Sequence, residues 1–162
     1  MKIVLAADHA GFSLKEFIKG YLAEKGIVYE DFGTFDEESV DYPDLAFKAA
    51  RAVQQGNFAR GILVCGTGIG VAIVANKLPG IRAALCNDLF SARYARAHND
   101  ANILTLGSRV LQKELAREIV GVFLETPFEG GRHQVRVEKI KELEERAREI
   151  DGCSASQEGS SD

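Results

Sequence analysis

Gly61-Ile62-Leu63-Val64-Cys65-Gly66-Thr67-Gly68-Ile69-Gly70 sets an apolar run of strand length directly against a glycine-rich turn. The run over residues 61–65 lacks polar alternation and reads as a buried strand, and residues 71–76 after the turn read as a helix. A strand joined to a helix in this way converges its backbone N–H groups on the helix N-terminus, where the helix dipole also favours negative charge. Two nucleotide motifs are excluded. A dinucleotide fingerprint needs glycine where Val71 stands, and a P-loop needs a Gly-Lys-Ser/Thr ending that is absent. Taken alone, the segment reads equally well as a tight turn whose glycines permit close packing.

The same strand-to-helix unit recurs on both sides. Residues 3–7 form an apolar run broken by Asp8-His9-Ala10-Gly11, after which Ser13 and Glu16 have the spacing of a capping box, with Phe12 and Phe17 as a hydrophobic staple. Residues 27–32 read as a second strand, residues 33–42 as a polar loop, and Pro43 opens a helix carrying Leu45, Ala49 and Val53. Further along, strands are expected over residues 82–86 and 103–106 and helices over 89–97 and 112–124. Nearly all-apolar strands, each followed by an amphipathic helix, imply a parallel sheet covered on both faces. The predicted fold is α/β: a single-domain, three-layer αβα sandwich with a Rossmann-like parallel sheet of about five strands and a long C-terminal helix. Asp8-His9, residues 65–70 and Asn87-Asp88 follow strands and so belong to the edge where such folds bind ligands. His98 and Asn99 follow a helix, which assigns them to the opposite end.

With 162 residues, 46% of them apolar, the chain suffices for one compact domain. A net charge of −4 excludes the basic field expected of a nucleic-acid binder, so any anionic ligand must be held by a local site. No apolar run has the length of a signal-peptide core or a membrane span, and the cytoplasm is the expected compartment. Cys65, Cys86 and Cys153 have no paired spacing and no CxxC or His/Cys cluster accompanies them, so free thiols without metal are expected. Val137, Ile140, Leu143, Ala147 and Ile150 repeat as the packing stripe of a final helix. The domain is therefore drawn over residues 1–150, and the Gly/Ser-rich residues 151–162 as a disordered tail.

Several of these residues can carry chemistry. A thiol ending a buried strand at a helix start, as at Cys65, has its thiolate stabilised by N–H groups and the helix dipole and can act as base or nucleophile. A small buried hydrophobe is the commoner fate of a single cysteine, and Cys86 occupies a similar strand end. The imidazole of His98 suits a general acid or base, although His98-Asn99-Asp100 also reads as a helix cap and turn. Asp8-His9 can serve a ligand or satisfy its own turn. Arg132 and Arg136, four apart, can grip one phosphate from a shared helix face or simply be solvated.

In combination, Asp8-His9-Ala10-Gly11, Asp41-Tyr42-Pro43, Cys65-Gly66-Thr67-Gly68-Ile69-Gly70, Ala75-Asn76-Lys77, Gly80-Ile81-Arg82-Ala83, His98-Asn99-Asp100-Ala101-Asn102, Gly107-Ser108-Arg109 and Glu129-Gly130-Gly131-Arg132-His133 closely resemble the ribose-5-phosphate isomerase B family. The resemblance runs from Lys2 to about Ile150 and implies an aldose–ketose isomerase of the pentose phosphate pathway that needs no cofactor. It implies catalytic roles for Cys65, Thr67 and His98. Cys65 would shuttle a proton between C1 and C2, Gly66, Gly68, Ile69 and Gly70 would help hold the enediolate through backbone N–H groups, and His98 would assist ring opening. Asp8, His9, Tyr42 and Asn99 would contact the sugar, and Arg109, Arg132 and Arg136 would bind phosphate or line the site. A second branch of the family carries glycine in place of Cys65 and a glutamate base in place of Val71, so this chain resembles the cysteine branch. The resemblance further implies a homodimer, in some members a dimer of dimers, whose active sites draw on two subunits. That would bring His98 and Asn99 to the partner's thiol loop. Six-carbon substrates such as allose 6-phosphate or galactose 6-phosphate, a subunit active only with a different partner chain, and a phosphate-binding module without turnover remain as alternatives.

Overall fold

The computed structural model describes residues 1–155, with residues 151–155 as helical backbone alone. The chain runs β1 (Lys2–Ala7), α1 (Phe12–Glu24), β2 (Val28–Asp31), α2 (Tyr42–Gln54), β3 (Arg60–Cys65), α3 (Ile69–Ala75), β4 (Ala83–Leu85), α4 (Leu89–Ala97), β5 (Ile103–Gly107), α5 (Lys113–Glu125) and α6 (Arg132–Ala155). Successive strand side chains point to opposite faces, and here both faces are buried. Ile3 and Leu5 of β1, Ile62 and Val64 of β3 and Leu104 and Leu106 of β5 enter one core with α1, α4 and α5. Val4, Ala6, Leu63, Cys65 and Ile103 enter a second core beneath α2 and α3. Ala46, Ala49 and Ala50 on α2 keep that layer close to the sheet. The result is the three-layer αβα sandwich expected from the sequence.

All four strand pairings are parallel, in the order β2-β1-β3-β5-β4. From β1 the chain steps outward to β2 and then crosses to β3 on the other side of β1. The carboxyl ends of β1 and β3 therefore flank the switch point where ligands sit in open α/β sheets. Asp8 and Cys65 both stand there.

Three local expectations change. Helix α1 starts at Phe12, with Gly11 before it and no side-chain cap, so Ser13 is already inside the first turn and the expected capping box does not form. Asp8 instead accepts the Gly11 N–H at 2.8 Å, while Ser13 Oγ accepts from Lys113 and Glu16 from Lys19. Helix α3 begins at Ile69, directly after Gly68, rather than at Val71. Along α6 only the start of the expected stripe is buried: Val137 is enclosed, but Ile140 and Leu143 are exposed, although Glu144 beyond them still accepts the Gly80 N–H at 2.9 Å. That helix continues to Ala155, beyond the boundary drawn at Ile150. Residues 156–162, the remainder of the expected tail, lie outside the described residues.

Candidate active site

Cys65 ends β3 with its side chain 5% exposed, and Gly68 donates its backbone N–H to Cys65 Sγ at 3.1 Å. The intervening turn depends on glycine. Gly68 has φ +77°, and a Cβ there would lie 2.6 Å from Leu85 Cδ1 and 2.8 Å from the Leu106 carbonyl carbon. Gly107, at the end of β5, meets the same loop from the other side, where a Cβ would lie 2.6 Å from Thr67 O. Thr67 Oγ1 accepts the Ile69 N–H at 3.3 Å, and Arg109 donates its N–H to Gly66 O at 3.0 Å. The loop is thus clamped between β4 and β5 with a backbone donor aimed at the sulfur. Cys86 differs: burial, and then the nearby Asp88, push its thiol up to about 12, so it stays protonated at neutral pH.

The crevice beside Cys65 collects the other residues expected at this edge. Asp8 is buried after β1 and donates its N–H to Val64 O at 3.2 Å. Val40 donates its backbone N–H to His9 Nδ1 at 3.2 Å, which makes Nδ1 the acceptor of a neutral ring and Nε2 the proton carrier. Tyr42 opens α2 with its ring against Gly70, where a Cβ would come within 2.7 Å. The Arg109 side chain lies over Gly66. Ser108 ties the turns together, donating Oγ to Ala10 O at 2.7 Å and N–H to Cys65 O at 2.9 Å. Asp8, His9, Tyr42, Cys65 to Gly70 and Arg109 thus share one edge of the sheet.

The loop carrying Val40 is anchored from below. Lys15 is completely buried and donates to Asp31, whose other oxygen accepts the Gly33 N–H at 3.0 Å. Burial alone would raise the Asp31 carboxyl. The hydrogen bonds from Lys15, Gly33 and Lys19 outweigh it and hold the group below the usual carboxylate value.

His98, Asn99, Arg132 and Arg136 form a separate group at the opposite end. His98 ends α4 between two rings, with centroids 4.4 Å from Tyr94 and 3.9 Å from His133. Arg132 begins α6 and donates from Nε to His133 Nε2 at 3.4 Å, and Arg136 follows one turn later. Desolvation, then His98, Arg132 and Arg136, lower the His133 value, favouring its neutral form. The Asn99 carbonyl accepts from Arg82 at 3.0 Å. Among the described residues, no hydrogen bond or ion pair joins this group to Cys65. In register Cys65 pairs with Gly107 at one end of β5, while His98 precedes Ile103 at the other.

Glu129 and His133 were assigned no role from sequence, yet with His98 they form a cluster whose donor atoms lie within 4.8 Å of one another. The set does not fit a cation. The two imidazole planes lie 8° apart in a stack, so their in-plane lone pairs run side by side instead of converging, and the Arg132 and Arg136 charges flank them. An anion suits the cluster better. Phe90, Tyr94 and His98, spaced four apart on α4, form a ring ladder whose spacing was readable in the sequence.

A family model described as Ribose/Galactose Isomerase matches residues 3–140. The chain is 49% identical over 145 residues to ribose-5-phosphate isomerase B of Escherichia coli, covering 90% of this chain and 97% of that one. It is 48% identical over 142 residues to a D-erythrulose-4-phosphate isomerase of Pectobacterium atrosepticum, covering 86% of this chain and 93% of the relative. The solved ribose-5-phosphate isomerase B of Clostridium thermocellum superposes with a TM-score of 0.89 at 52% identity, over 91% of this chain and 99% of that structure.

Proposed function

The chain belongs to the ribose/galactose isomerase family, and from that premise we propose that it interconverts ribose 5-phosphate and ribulose 5-phosphate by proton transfer through an enediolate. The observation that carries this reading is the Cys65 thiol at a strand end, with the Gly68 N–H on its sulfur and the loop amides around it. His98 helps open the furanose. The Cys65 thiolate takes the C2 proton, the amides of residues 66–70 hold the developing oxyanion, the O2 hydroxyl proton passes to O1, and the thiol returns a proton to C1. Asp8, His9, Tyr42 and Asn99 orient the sugar, His9 donating from Nε2, while Arg132 and Arg136, with Arg109, bind the phosphate. This chemistry needs no redox cofactor, and its soluble ionic substrate fits a cytoplasmic enzyme of the pentose phosphate pathway.

The thiol loop and His98 act together in a homodimer, each site combining the loop of one subunit with His98, Asn99, Arg132 and Arg136 of its partner. The exposed apolar residues support this pairing. Ile69 and Ile73 lie on α3 beside the thiol loop, and Phe90, Val135 and Ile140 lie around the His98 end. A two-fold axis would lay one face on the other twice, burying both and completing two sites.

The four-carbon substrate named for the Pectobacterium relative favours a second reading, in which sugar length differs while the chemistry is kept. Turnover of ribose 5-phosphate, allose 6-phosphate and erythrulose 4-phosphate by the purified chain separates the two. The expected order places ribose 5-phosphate first in kcat/KM. A clear preference for either other sugar would move the assignment to that substrate, and turnover of none would leave a binding module or a subunit that needs a different partner chain.

A further inference from the structure

We infer that Glu129 is a charge gate at the phosphate end of the site, its carboxylate standing where the substrate phosphate binds and yielding when the phosphate arrives. The inference rests on the reading above, in which Arg132 and Arg136 hold that phosphate. Glu129 Oε2 lies 3.6 Å from His98 Nε2 and 3.8 Å from His133 Nε2. Arg132 Nε approaches the same His133 nitrogen. The Glu129 carboxylate thus faces two imidazoles, one of which also accepts from the Arg132 guanidinium, and in the ligand-free chain the anion of this cluster is a side chain. Among the described residues lining this open cavity of about 530 Å³, which include Phe90, Tyr94, His98 and Arg132, Glu129 is the one carboxylate.

The geometry suits displacement. Both imidazole contacts are longer than hydrogen bonds, and His133 Nε2 already accepts from Arg132 Nε, so no directed bond holds the carboxylate in place. Its side chain is 55% exposed and can swing into solvent, while its backbone stays anchored by the Glu129 N–H on Ala97 O at 3.0 Å. Gly130 and Gly131, at φ +65° and +56°, then turn the chain so that α6 starts with Arg132 beside the cluster. A phosphate dianion entering this space must push the carboxylate aside or accept its repulsion. Either way the cluster binds phosphate more loosely than its cations would alone. Because the phosphate does not react, this loosening acts on ground and transition states alike and appears in KM and in product release.

The test measures inhibition of the full-length enzyme by inorganic phosphate, with ribose 5-phosphate as substrate, for wild type, Glu129→Gln, Glu129→Asp and Arg132→Ala. Glu129→Gln keeps the shape and removes the charge. The inhibition constant for inorganic phosphate and the KM should both fall about two- to fivefold, the scale of an exposed charge contact, with no rise in kcat to match. Glu129→Asp, which keeps the charge on a shorter stem, should fall between wild type and Glu129→Gln. Arg132→Ala should weaken phosphate inhibition. If Arg132→Ala weakens it while Glu129→Gln leaves it unchanged or weakens it too, the gate is refuted and the phosphate assignment stands. If Arg132→Ala has no effect on phosphate inhibition, the phosphate assignment fails and the gate with it.

Discussion

A dimer assembled from one Cys65→Ala subunit and one His98→Ala subunit should turn over ribose 5-phosphate at about half the wild-type rate, although each parent homodimer is nearly inactive. Within one chain the two residues belong to opposite ends of β5, a five-residue strand that spans roughly 13 Å at 3.3 Å per residue. A proton transfer needs its groups within about 3 Å of the reacting atom, so one chain's Cys65 and His98 cannot serve the same ring. In the mixed dimer one site joins the intact Cys65 of one subunit to the intact His98 of the other, and the second site lacks both. One working site of two gives the factor of about one half. Co-expression with two different affinity tags and purification through both yields the mixed dimer, whose turnover is compared with wild type and both parents. Loss of the His98 acid–base group should lower the parent by on the order of 100-fold, leaving a clear window. A verified mixed dimer no more active than its parents would refute sharing, because that result is expected if each chain supplies both residues to its own site.

Gly68→Ala should destabilise the protein by about 2 to 4 kcal/mol in urea unfolding, combining left-handed backbone strain with overlap against Leu85 and Leu106. It should also lower kcat, because the N–H on Cys65 Sγ cannot keep its place. Asp31→Asn should cost about 2 to 3 kcal/mol at neutral pH by depriving buried Lys15 of its main counter-charge. Because the folded Asp31 carboxyl lies below its ordinary value, its contribution is present above about pH 4 and is lost as pH falls through the lower folded value. The gap between wild type and Asp31→Asn in pH-dependent melting should therefore close in acid. Alkylation at pH 8 with peptide mapping should modify Cys65 well before Cys86, with activity lost in step and protected by ribose 5-phosphate. Preferential labelling of Cys86 would contradict the burial that keeps it a thiol.

The parallel sheet was legible because residues 3–7 and 61–65 are unbroken apolar runs and residues 103–106 are interrupted by Thr105 alone, as befits strands buried on both faces. Helix α4 matches its expected ends because Asp88 caps it, accepting the Ser91 N–H, and the apolar spacing stops at Ala97. The capping box at Ser13 misled because spacing cannot reveal that the helix begins a residue earlier, on a turn already satisfied by Asp8. Non-local contacts were beyond reach. Nothing near His9 announces the Val40 N–H, and nothing near His98 announces the His133 ring stacked on it. The stripe on α6 correctly marks an apolar face, but periodicity does not say what covers it, and within one chain Ile140 and Leu143 remain exposed. Insertion of β5 between β3 and β4 is likewise a long-range choice with no local signature.

The central claim is tested most directly by following ribose 5-phosphate in D2O by NMR with wild-type enzyme and with Cys65→Ala. Proton transfer through the Cys65 thiol expects deuterium to enter C1 of the ribulose 5-phosphate formed and C2 of the ribose 5-phosphate returned, with turnover and exchange both abolished in Cys65→Ala. Undiminished isomerisation and exchange by Cys65→Ala would contradict the account.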